Sequence, residues 1–230
     1  MHGWHATIDQ VIKSSGQTRG QQTRARIIDA ALQTLRSEGY AGTTARAIAA
    51  RGSFNAALIF YHFGGVDELL LAALDHSSAQ RMARYREALD GVASVTELLA
   101  VMRMLYDEDR RTPHITAVQE LVTSSTFSQR LGPELVRRMQ PWVDFAHEVI
   151  DRILAGAPLR RIVDTRDLAF ALIAMYLGSE QVSRLQGDAS RIDSLFRAAR
   201  RMAPMLDDLL GNPARRAPRK GGRGRRVPIE

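Results

Sequence analysis

No stretch of this chain alternates apolar and polar residues over strand length between Gly and Asn or Asp turns. Helical spacing of apolar residues, by contrast, recurs from Thr23 to about Leu210. An all-α fold is the class that can bury those residues. Ile27, Ile28, Ala31, Leu32 and Leu35 share one face of a helix that Thr23 can start and Gly39 can end. A second, short helix follows Thr44, with Ile48 and Ala49 inward and Gly52-Ser53 as its stop. A third begins at Asn55 and ends by Gly64-Gly65. Val66-Asp67-Glu68 opens a long helix to about Leu89, with acids where the macrodipole favours them. Beyond Gly91 the pattern gives Val95–Arg110, Ile115–Phe127, a segment broken at Gly132-Pro133, and Pro141–Leu154 with Pro at its start. A helix from Asp164 or Thr165 to Leu185 and another capped by Ser190 follow.

The chain of 230 residues has 45% apolar residues and no Cys. The length allows one large domain or two modest ones, and the apolar fraction excludes a disordered protein. Zero Cys excludes a disulfide framework, a thiol nucleophile and a thiolate metal site. The net charge of +7 is unevenly spread. Residues 1–62 carry 7 basic and 3 acidic groups, 63–210 carry 18 and 21, and 211–230 carry 7 and 1. A polyanion suits the two ends and not the middle. Met1 to Ser15 lacks the basic and apolar regions of a signal peptide. The best uncharged window, Leu168–Ser179, is shorter than the roughly 20 apolar residues of a membrane span. The expected location is the cytoplasm, with no membrane partner.

Three short helices joined by tight turns on a basic segment match a helix-turn-helix. The residues that carry the match are Thr23, Arg24, Ile27, Ala30, Ala31, Leu35, Gly39, Tyr40, Thr43, Thr44, Arg46, Ile48 and Ala49. They continue with Asn55, Tyr61-His62-Phe63 and Glu68-Leu69-Leu70. In this spacing, over about fifty residues, the segment resembles the DNA-binding domain of the TetR family of transcriptional regulators. The resemblance implies an N-terminal three-helix reading domain and a larger helical domain that binds a small effector and dimerises. The expected organisation is a flexible basic arm at 1–22, the helix-turn-helix domain at 23–65, an effector-binding and dimerisation domain at 66–210, and a disordered basic tail at 211–230.

Roles follow for individual residues. Thr44 is expected to cap the second helix and offer a hydroxyl to phosphate. Arg46, one turn in, can pair a phosphate or read guanine bidentately. Asn55, Ala56, Ala57 and Leu58 begin the recognition helix. The two alanines let it sit close to the bases, and Leu58 either meets thymine methyls or belongs to the core. Phe60 stands where the family usually has Tyr and keeps only the ring. Tyr61 and His62 can each donate to phosphate. Val66 replaces the family's usual phosphate-gripping Lys. Arg19, Arg24 and Arg26 could reach phosphates or the minor groove. The tail arginines would add attraction that falls with salt.

For the second domain, residues 168–177 read as a helix buried on most sides, and Pro204 is expected to kink or end the last helix. Leu172, Tyr176, Ile192, Leu195, Phe196, Ala199 and Met202 are the candidates for a homodimer interface. Met102, Met104, Tyr106, His114, Phe127, Trp142, Phe145, His147, Met175 and Tyr176 are candidates to line an effector pocket, which favours an apolar or aromatic ligand. No G-x-S-x-G, P-loop or Rossmann glycine pattern occurs, and His147-Glu148-x-x-Asp151 lacks the second His of a zinc motif. No catalytic residue, metal or cofactor is expected. The reading is a ligand-responsive dimeric regulator, expected to act as a repressor on a palindromic double-stranded DNA operator. The alternative is a helical protein that sequesters a small molecule and touches nucleic acid only through its basic tail.

Overall fold

The computed structural model describes the backbone of residues 3–112, 114–125 and 130–211, and the side chains of 19–112, 115–125 and 130–211. The described elements are all helical. They are α1 (Gly3–Gly42), α2 (Ala45–Gly52), α3 (Ala57–Phe63), α4 (Val66–Ala88) and α5 (Val95–Asp109). Then come α6 (His114–Ser125), α7 (Leu131–Ile153), a single 3₁₀ turn at Pro158–Arg161, α8 (Thr165–Gln186) and α9 (Ser190–Leu209). The tail at 212–230 and Phe127 lie outside the described residues, as does the side chain of His114.

Several boundaries differ from the sequence expectation. The first 22 residues contain no Pro, and the helix runs back to Gly3. Thr23 is therefore no cap: its hydroxyl donates to the Arg19 carbonyl at 3.0 Å, the back-bond of a Thr inside a helix. Gly39 does break α1, with φ of 67°, a conformation that favours Gly. α7 is continuous through Pro141 rather than starting there. Pro141 and Arg137 are both exposed, so the Arg137 carbonyl that loses its helical partner can meet water. Likewise α9 continues through Pro204. Its first turn is held by Asp188, which accepts from the Ser190 N–H at 2.8 Å and from its hydroxyl at 2.6 Å. Ser190 is thus the capped residue and not the cap.

The chain packs as two compact units. One takes α1–α4 through Glu87, the end of α5 from Leu105, α6, and α7 as far as Pro141. The other takes Ala88 to Met104 and everything from Trp142 on. In the first unit one core joins Ile27, Ala31, Leu35, Ile48 and Ile59 of the three short helices to Leu69, Leu70 and Leu74 of α4. It extends to Leu121 of α6 and to Leu131 and Leu135 of α7. A boundary after residue 65 follows the chain's turns but not its packing. Three helices of this size bury too little apolar surface to stand alone.

Polar contacts tie the same unit together. Glu120 accepts from the Tyr40 N–H at 2.9 Å, just past the Gly39 break. The Tyr40 hydroxyl donates to Asp67 at 2.8 Å. Burial first, then the Asp67 hydrogen bond and charge, push that hydroxyl up to about 12. The folded value lies above the ordinary 10.0, so this stabilisation is complete below pH 10 and lost as pH rises through about 12. Tyr40→Phe should accordingly flatten the fall in stability across that window, measured by urea denaturation. An unchanged alkaline slope would show that Tyr40 does not govern it.

Asp109 ends α5 and is fully buried. It accepts from Arg84 and from the Tyr85 hydroxyl, each at 2.6 Å, and from Arg81, all on α4. In the second unit Asp207 of α9 reaches the start of α5. It accepts from the Val95 N–H at 2.7 Å and from the Thr96 hydroxyl at 2.6 Å. Asp207 also accepts from the Thr96 N–H and Ser94 from the Glu97 N–H, so three oxygens serve the free N–H groups of that first turn.

Candidate nucleic-acid interface

The helix-turn-helix is built locally. Thr44 has extended backbone, and its hydroxyl oxygen accepts from the Ala47 N–H at 3.2 Å. The hydroxyl hydrogen remains available to donate outward, so capping and phosphate contact are compatible. Ile48 and Ala49 are buried beneath α2, which turns Arg46 outward to solvent. α2 stops at Ser53, whose φ of 52° is left-handed. A Cβ on Gly52 would lie 2.2 Å from the Phe54 ring and 3.0 Å from the Ala30 methyl, so a larger residue would have to displace the Phe54 ring and crowd α1 at Ala30.

Asn55 accepts from the Ala57 N–H at 2.8 Å and so starts α3, although the helix proper begins two residues later. Ile59 is buried and Phe63 packs partly against the core. That leaves Ala57, Phe60 and Tyr61, at i, i+3 and i+4, on the outward face. Phe60 is 56% and Tyr61 82% exposed. The His62 ring meets the Tyr61 ring edge-on, with centroids 4.9 Å apart. Ala56 is half-buried. Leu58 packs partly on the core and keeps part of its surface exposed.

Three other arginines of the head have partners within the protein. Arg51 pairs with Glu38 at 2.9 Å. Arg24 donates to the His62 carbonyl at 2.6 Å, and Arg26 to the Gly52 carbonyl at 3.1 Å. Sequence reasoning offered both to phosphate or the minor groove and did not foresee these contacts. Their carbonyl partners lie 38 and 26 residues away, and no local pattern points to them. For Arg46 no ion pair occurs among the described residues.

The effector candidates are more scattered. Tyr106 and Phe145 are buried, while Met102, Trp142, His147 and Tyr176 are half-buried. Met104 is exposed. Met175 lies outward on α8, in a shallow groove with Val182 and with Ile192 and Leu195 of α9. It therefore groups with the dimerisation candidates. Those candidates divide as well. Leu172, Leu195 and Met202 are exposed, Tyr176, Phe196 and Ala199 half-buried, and Ile192 is buried in its own protomer. α8 is not buried on most sides: Phe170, Met175, Val182 and Leu185 all face outward. Its apolar run marks an uncovered face. Asp151 pairs with Arg160 at 2.9 Å, which takes it out of the His147-Glu148 constellation. No single described helix is long and apolar enough to cross a membrane.

Comparison with known proteins agrees with this geometry. The sequence profile of the bacterial regulatory proteins of the tetR family matches residues 27–73. The transcriptional regulator TtgR of Pseudomonas putida is 30% identical over 162 residues, 68% of this chain and 76% of that protein. A transcriptional repressor of Mycobacterium tuberculosis is 42% identical over 59 residues, 26% of this chain and 31% of its own. The fatty acid degradation regulator FadR of Bacillus halodurans shares the fold. It has a TM-score of 0.65 at 14% identity and covers 78% of this chain and 93% of its own. The extent of the TtgR match, together with a helix-turn-helix whose outward residues are those just described, places this chain in the TetR family of DNA-binding transcriptional regulators.

Proposed function

We propose that this protein is a ligand-responsive repressor that binds a palindromic operator as a dimer. The observation that carries the reading is the outward face of α3. Ala57, Phe60 and Tyr61 stand exposed there, two of them aromatic, beside Thr44 and Arg46 of α2. Exposed aromatics in a row on a short helix are unusual unless a partner covers them. In this reading residues 23–65 form the DNA-contacting part, and each protomer sets one α3 in the major groove of a half-site. The half-sites lie about 34–36 Å apart, or a multiple of it.

The uncovered apolar face of α8 and α9, with Met175, Leu185, Leu195 and Met202 exposed, supports a symmetric pairing of two copies. Half-buried Met102 of α5, Trp142 of α7 and Tyr176 of α8 all belong to one unit, and they support an apolar or aromatic effector there. Such an effector releases operator only if it binds more tightly to a form whose two heads no longer match the half-site spacing. The repressor named among the relatives agrees with the sign of regulation proposed.

Footprinting on the DNA flanking the protein's own coding region tests the reading. A protected palindrome, relieved by a small ligand, supports it. Smooth, salt-dependent coating would replace it with a non-specific binder. Within it, Arg46→Ala should weaken operator binding by about 1–3 kcal/mol if Arg46 reads a base. An equal loss on random duplex would assign Arg46 to phosphate instead.

A further inference from the structure

We infer that Arg24 is a positioning residue of the reading surface, acting through the C-terminal end of α3, with Arg26 as its counterpart on α2. The inference rests on the proposed reading of DNA by α3. That helix has only seven residues and one fully packed anchor, Ile59. A helix so short is not held by its own ladder, so its aim depends on what grips its ends. Asn55 grips the start. At the other end the last carbonyls lack helical partners, and Gly64 N–H satisfies only that of Phe60.

Arg24 supplies what is missing. Its guanidinium donates to the His62 carbonyl at 2.6 Å and lies 4.2 Å over the Phe63 ring. The two contacts bracket the His62–Phe63 peptide, one residue past exposed Tyr61, and so bear on where the Tyr61 and His62 rings point. Arg26, two residues on, donates to the Gly52 carbonyl at the end of α2. Residues two apart on a helix project about 200° apart, so one turn of α1 straddles the C-termini of both helices. Each guanidinium also places positive charge at the negative end of a helix dipole. The angle between α2 and α3 is thereby referred to a single turn of α1.

The test uses the full chain and a duplex that it selects from a randomised pool, with a random duplex of equal length as control. Arg24→Met keeps a flexible side chain on the Phe63 ring and removes the donor. Arg24→Lys keeps charge and donor. Arg24→Met should weaken binding to the selected duplex about tenfold and leave the random duplex unchanged. It should also shrink the penalty for single-base changes opposite α3. Arg24→Lys should recover most of the affinity and the base preference. Far-UV circular dichroism and the melting midpoint identify any variant that unfolds, in which case Arg24→Lys alone is scored on its base preference. Equal losses on both duplexes, with a salt slope reduced by about one, would make Arg24 a phosphate contact and overturn the inference. Unchanged binding by Arg24→Met would overturn it too. If the wild-type chain selects no sequence at all, the DNA-reading proposal fails instead, and that outcome is visible before any variant is made.

Discussion

Asp109→Ala is expected to lower the folding stability by about 3–5 kcal/mol, the range for removing one partner of a buried ion pair. Asp109 has no exposure to solvent, and the Arg81 side chain beside it retains 9%. Deleting the carboxylate removes the acceptor that the Arg81 guanidinium and the Tyr85 hydroxyl share, in a site that water hardly reaches. Arg84 loses less. Its side chain is 40% exposed, and Glu108 already lies 3.6 Å from it. Asp109 also sits at the C-terminal end of α5, where a negative charge opposes the helix dipole, so its burial there depends on the two arginines. Two controls separate charge from shape. Asp109→Asn keeps an acceptor and should lose less than Asp109→Ala. Asp109→Leu combined with Arg81→Met removes both charges and should recover most of the stability, because apolar groups of similar volume replace a buried pair at little cost. Urea midpoints at one fixed protein concentration measure all three, since pairing of protomers would otherwise shift the result. A loss below about 1 kcal/mol for Asp109→Ala would mean that solvent replaces the carboxylate.

The second large effect is expected on α8 and α9. Met175→Glu with Leu195→Glu should raise the dimer dissociation constant on the order of 100-fold and reduce operator affinity in step. Both residues are exposed in the protomer, so the substitutions should change its own stability by no more than about 0.5 kcal/mol. In a symmetric face every substitution appears twice, and four carboxylates would have to be desolvated against one another. Operator affinity follows because a lone head forfeits the effective concentration that its linked twin provides. Sedimentation velocity over a dilution series reads the first quantity and operator titration the second. A double variant that sediments like the wild type would move the interface off this face.

What the sequence could reveal follows the range of the interaction. Thr44, Asn55 and Asp164 act on N–H groups two or three residues ahead, and their capping roles were readable from residue type and position. The inward residues Ile27 and Ile48 were likewise readable from helical periodicity. Glu120 on Tyr40 and Asp207 on Val95 span 80 and 112 residues, and no window of local sequence contains both partners. The same limit hid the carbonyl partners of Arg24 and Arg26. α8 failed for a different reason. An uncharged run gives the amount of apolar surface but not what covers it, so an outward face was read as a buried helix. Ile192 lies on the same apolar stripe as Leu195, yet only the three-dimensional packing shows that it turns inward. Pro141 misled because its breaking effect depends on whether the freed carbonyl finds water, which exposure decides and sequence does not.

The core that continues from Ile27 through Leu69 to Leu121 and Leu131 also bears on how this protein can be re-engineered. Transplanting its operator preference onto another effector domain by cutting at Gly64-Gly65 would strip the lid from Ile59 and expose the leucines of α4 to water. A working chimera has to carry the first turns of α4 as part of the graft. The recipient must also offer apolar residues where Leu121 and Leu131 now stand. In this family member the interchangeable cassette is thus larger than the element that touches DNA, and its seam runs through the middle of helices rather than between them.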